Sequence, residues 1–136
     1  MVQIDNSQTI RISMGDDVSF PLFVNVGSKL SPIRYEFKVG AEDLVYFYIL
    51  YPNDYWEDAL ETLEFDCTED NINENGDIII TIPSDISERL GEGKFEYIIR
   101  GYIKIDDEYQ NVTITNPHEF WIVRDTDNDD EEVDNA

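Results

Sequence analysis

Apolar and polar residues alternate in short runs over most of the chain, and turn-forming residues separate the runs, which predicts β-strands rather than helices. Ile10, Ile12 and Met14 share one face of the first run, which ends at Gly15-Asp16-Asp17. Val18, Phe20, Leu22, Val24 and Val26 share a face of the second. Pro21 cannot donate a ladder hydrogen bond, which predicts an edge strand or a bulge there. Ile33, Tyr35, Phe37 and Val39 predict a third strand, and the nearly unbroken apolar run at residues 44–51 predicts a central strand covered on both faces.

Between residues 52 and 67 the period is mixed. Trp56, Leu60 and Leu63 fit a helical face, whereas Leu63, Phe65 and Cys67 fit a strand, so a short helical turn followed by a strand is expected. The polar residues 68–76 end in Asn75-Gly76, a hairpin-type turn. Ile78, Ile80 and Ile82 form the next strand, Ser84 is placed to cap a helical turn through Leu90, and Gly91 stops it. The longest strand carries Phe95, Tyr97, Ile99, Ile103 and Ile105 on one face, with Gly101 permitting a bend or close packing. Asp106-Asp107-Glu108 turns the chain, and strands at 109–114 and 119–123 complete a set of eight or nine. The predicted fold is an all-β, antiparallel β-sandwich with one or two short helical turns. Residues 1–124 form the domain, and residues 125–136 are expected to be a disordered acidic tail.

At 136 residues, one core is expected, and it needs no disulfide or metal to hold it. The single Cys67 cannot form an internal disulfide and reads as a small buried hydrophobe. No stretch approaches the ~20 apolar residues of a membrane span, and the start lacks the basic and apolar regions of a signal peptide, so a soluble, unprocessed chain is expected.

Charge changes the picture most: 31 acidic against 9 basic residues give −22, which disfavours nucleic-acid backbones and anionic membranes as partners. Between Lys38 and Arg89 no basic residue interrupts the acids. Catalytic constellations are missing. His118 is the single histidine and is expected in a loop after Pro117; no nucleophile elbow, phosphate loop or Cys/His zinc spacing occurs. Asp125-Thr126-Asp127-Asn128-Asp129 imitates a calcium loop, but Asp130 stands where the sharp turn needs Gly and Ala136 where a bidentate Glu is needed. The expectation is therefore no enzyme activity, no metal and no cofactor.

The landmarks Ile10-Arg11-Ile12 before Gly15-Asp16 and Phe20, then Glu42-Asp43-Leu44-Val45-Tyr46-Phe47, then Gly76-Asp77-Ile78-Ile79-Ile80, Leu90-Gly91 before Phe95-Glu96-Tyr97-Ile98-Ile99, and the closing Phe120-Trp121-Ile122-Val123 carry a family resemblance. Over residues 8–124 the chain resembles the immunoglobulin-like domain at the N-terminus of phage baseplate upper proteins and of related small phage structural proteins. The resemblance implies an immunoglobulin-like sandwich in a virion protein, made in the host bacterial cytoplasm. Such a protein docks on other virion proteins such as capsid, tail or fibre subunits. Baseplate upper proteins typically continue into helical or fibrous regions, and an acidic tail stands here instead, which implies a decoration, connector or attachment module. These residues are scaffold positions and identify no site.

An acidic DNA mimic that inhibits a host nuclease or DNA-binding protein is the alternative implied by the charge. A sugar-binding module resting on Tyr51, Tyr55 and Trp56 is a third reading. For the docking role, the strand containing Pro21 is the candidate edge. Ser19, Phe23 and Asn25 are the expected contact residues on the face opposite Val18, Phe20, Leu22 and Val24, with weak self-association at most.

Overall fold

The computed structural model describes residues 2–4, 8–26, 30–31 and 33–124; the expected acidic tail at 125–136 lies outside them. In chain order the strands are β1 (Val2–Ile4), β2 (Ile10–Ser13), β3 (Val18–Leu22), β4 (Leu44–Leu50), β5 (Glu61–Asp66), β6 (Ile78–Ile82), β7 (Gly93–Ile105) and β8 (Glu108–Val123). The helix α1 (Ser84–Leu90) lies between β6 and β7, and 3-10 turns occupy Trp56–Asp58 and Glu69–Asn71. The chain is mostly β, with a six-stranded sheet in the order β1-β2-β8-β7-β4-β5 and a two-stranded sheet, β3-β6.

Both sheets feed one core. Ile10 and Ile12 of β2, Phe20 of β3, Phe47 of β4, Ile80 of β6, Tyr97 of β7 and Phe120 of β8 belong to the same buried cluster. Phe47 is its centre, stacked on Tyr97 at 5.2 Å and edge-on to Phe120 at 6.0 Å and to Phe20 at 6.4 Å. On the outer face of the larger sheet, Tyr48, Leu50 and Ile98 form a second cluster beneath Trp56 and Ala59. β4 is thus covered on both faces, as its unbroken apolar run predicts.

Several expectations need correction. The larger sheet is not purely antiparallel, because β2 runs parallel to β8 with Ile10 opposite Phe120 and Ser13 opposite Val123. Residues 33–39 do not form a strand. Their hydrogen bonds go to three different places: Val24 and Val26 bond Tyr35 and Ile33, the Phe37 N–H reaches Gly76 O, and the Gly40 N–H reaches Cys67 O. Such a segment crosses from one structure to the next instead of following a ladder. The alternation at 18–26 likewise yields a ladder only as far as Leu22.

The strands expected at 109–114 and 119–123 are one strand, β8. Tyr97 faces His118 and Ile99 faces Thr115, so Ile98 of β7 stands against both Asn116 and Pro117 of β8. This bulge lets the strand run through a proline that has no N–H to give. His118 consequently sits in a strand, not a loop. Ser84 is not the cap of α1 but its first residue; the Ser84 N–H donates at 2.7 Å to Asp17 Oδ1, contributed from the β2–β3 turn. Gly91 ends the helix with φ of +84° as expected, its N–H bonding Ser87 O.

Candidate docking edge and groove

β3 pairs with β6 from Val18 opposite Ile82 to Leu22 opposite Ile78, and its other side has no strand beside it among the described residues. Pro21 keeps its place in this ladder opposite Ile79. A residue without an N–H fits a ladder where that group would have pointed to the open side. By the same alternation Ser19 and Phe23 turn their backbone groups to the open edge. Beyond the strand, Asn25 bridges Arg34 through Val24 O and the Val26 N–H, which leaves the Asn25 N–H facing away from Arg34.

Burial alternates along this segment as the sequence predicts: Val18, Phe20, Leu22 and Val24 are buried, and Ser19, Pro21, Phe23 and Asn25 are exposed. The three predicted contact residues therefore share one outward face. Their neighbours fix them to different degrees. Ser19 Oγ lies 3.2 Å from Thr81 Oγ1 across the pair, and the Phe23 ring, 61 % exposed, carries the Arg34 guanidinium 5.0 Å from its centroid.

Arg34 was not marked out by the sequence, yet it organises this corner. Besides covering Phe23, its guanidinium grips both carboxylate oxygens of Asp77, with the Nε donating at 3.2 Å. Asp77 is 1 % exposed and sits at the end of the turn that opens β6. Its own N–H is accepted by Asn73 Oδ1 at 3.0 Å. A buried carboxylate paired in this way fixes the guanidinium that lies over the Phe23 ring.

Beside the open edge runs a groove of about 980 Å³. One wall is the segment from Phe20 to Val26; the floor is the inner face of the β7–β8 hairpin, including Ile103, Ile105, Val112 and Ile114. Among the described residues, no Asp, Glu, Lys or Arg lines it. His118 lines one end, half-buried with its ring 5.8 Å from that of Tyr97. These floor residues carry ordinary strand patterning, so the sequence offered no signal for them.

Exposed acids border other parts of the surface, the β5 edge among them. Glu64 and Asp66 of the edge strand β5 are exposed, as are Glu57, Asp58, Glu69 and Asp70 in the adjoining 3-10 turns. Residues 18–26, by contrast, contain no charged side chain. The β5 edge is thus bordered by exposed acids, whereas residues 18–26 carry no charge of their own and the neighbouring Arg34 is paired with Asp77.

The remaining polar interior is satisfied. Asp43, 3 % exposed, accepts hydrogen bonds from the hydroxyls of Tyr35 and, at 3.3 Å, Tyr109, while Tyr35 Oη accepts the Lys104 N–H at 3.0 Å. Burial first, and Asp43 second, push the Cys67 thiol up to about 11, so it is an unreactive thiol at neutral pH. Among the described residues, no group of three His, Cys, Asp or Glu side chains is placed to hold a metal ion, and no helix is long and apolar enough to cross a membrane. Of the aromatics considered for sugar binding, Tyr51 and Tyr55 are exposed, but Trp56 is covered by Arg100 at 4.3 Å. No family model, curated protein or solved structure matches the chain.

Proposed function

We propose that the chain is a non-enzymatic phage virion protein that docks on other virion subunits through the open edge of β3. The observation that carries this reading is the contrast between edges: in a chain of −22, residues 18–26 carry no charged side chain and flank a groove with no Asp, Glu, Lys or Arg among its described lining residues. Edge strands are ordinarily defended by charge, as β5 is here, because an open ladder invites another chain. An edge left neutral is suited to pairing, and Ser19, Phe23 and Asn25 are its outward contacts.

The fold side of the reading is an immunoglobulin-like sandwich. Its support is connectivity: β3 and β6 pair opposite β4, β7 and β8, and an early strand, β2, lies parallel to the last, β8. Together with the landmark residues, this favours the phage baseplate-type domain, a virion location, and assembly from the bacterial cytoplasm. Capsid, tail or fibre subunits are the partners.

Quantitative mass spectrometry of purified virions tests the role. The protein is expected at a fixed ratio to a capsid or tail subunit; its absence from particles, with tight binding to a host nuclease or repressor, would support the DNA-mimic alternative instead. That alternative draws on the exposed acids around β5.

A further inference from the structure

The smaller sheet has two strands against six in the larger one, so among the described residues part of the larger sheet's inner face has no strand opposite it. That part is the groove floor: Ile105, Val112 and Ile114 pack against the core yet stay only half-buried. One wall of the groove is a strand edge whose outward backbone groups, at Asn25 and by alternation at Phe23, meet no backbone partner among the described residues, and Ser19 continues the same edge beyond the groove. The space thus offers both things an extended peptide needs, a ladder to join and an apolar surface for every second side chain.

Charge selects among occupants. The described lining residues include no Asp, Glu, Lys or Arg, but Ile105 at the margin runs directly into Asp106, Asp107 and Glu108, all exposed. The chain's own residues 125–136 carry seven acids and no base, so they would meet like charge there and bring little apolar surface. A second copy would bring the same acidic turn and its own Pro21. From this we propose that the groove takes an extended segment of a partner chain as a third strand of the β3–β6 sheet. Its alternate side chains are apolar, and its end beside the β7–β8 turn is basic. The proposal rests on the docking reading above and names the chemistry of the partner for that site.

The test uses a synthetic peptide alternating valine and threonine with lysines at both ends, added to isotope-labelled protein and followed by NMR. Saturable binding is expected, with the Phe23 and Asn25 amides gaining protection and the Val112 and Ile114 methyls shifting. Replacing the lysines by glutamates should weaken binding by about tenfold at low salt. Asn25→Pro removes one edge donor at an exposed position whose bridge uses its neighbours' groups, and it should also cost about tenfold. No saturable binding, shifts centred away from the groove, or equal binding of the glutamate peptide would overturn the proposal. Protein present in virions with a groove that protects nothing would remove this inference and leave the docking role standing. A groove that binds, in a protein absent from particles, would do the reverse.

Discussion

Arg34 shows how one side chain joins stability to the candidate contact surface. It neutralises the buried Asp77 on one side and covers Phe23 on the other. Removing it leaves a carboxylate that is 1 % exposed without its partner. Because Arg34 is itself about half exposed (49 %), water would fill part of the gap, so Arg34→Ala is expected to cost about 2 kcal/mol in chemical denaturation, below the usual toll for a fully buried pair. A second residue-scale consequence concerns alkaline pH. Cys67 is held up to about 11 against an ordinary 9.0, chiefly by burial, and Tyr35 is also raised, by burial and by Asp43. The unfolded chain loses these protons first, so their contribution is complete below about pH 9 and is lost as pH rises to 11 and beyond. Denaturation midpoints should therefore fall over that window. Cys67→Ala should flatten the fall between pH 9 and 11, and an unchanged slope would refute the assignment.

Among the elements, the β7–β8 hairpin carries the most consequence, since it supplies the groove floor and the centre of the larger sheet. Its two-residue turn places Asp106 at φ of +52° and Asp107 at +68°, values at which glycine is unstrained. Asp107→Gly is expected to stabilise the protein by about 0.5 kcal/mol, read as a rise in melting temperature. The helix α1 depends on Asp17 from a distant turn for its first N–H, so Asp17→Ala should cost about 1 kcal/mol. Gly76 is different: at φ of +81°, an added Cβ would lie 2.5 Å from Glu36 Cγ, so Gly76→Ala should destabilise while Gly91→Ala, with open space around it, should cost less.

These elements also show what could be read from the sequence. Strands with one buried face, such as β2, β4, β6 and β7, announce themselves by period because burial alone sets their pattern. The segment at 33–39 has the same alternation without a ladder, since its hydrogen bonds are shared among three partners. Local sequence splits β8 at Pro117, whereas the strand runs through it, because a bulge depends on the opposing strand, which local sequence does not contain. For the same reason the outward face of Ser19, Phe23 and Asn25 was legible, and the groove beneath it, built from residues about ninety positions away, was not.

Across the whole molecule, the distribution of charge matters more than its total. Exposed acids border β5 and its flanking turns, where they oppose edge-to-edge pairing of like molecules, while residues 18–26 carry no charged side chain. Isolated protein is accordingly expected to be monomeric or weakly self-associating at physiological salt, and attachment to a larger assembly should weaken as salt increases. A salt-insensitive attachment would leave the neutral edge as the whole of the contact. If the β3 edge carries docking, the copy number of Phe23→Asp protein in purified particles reports it. Phe23 is 61 % exposed, so the variant should fold with an unchanged circular dichroism spectrum. Particles should be strongly depleted of the variant; incorporation at full copy number would show that docking does not use this edge.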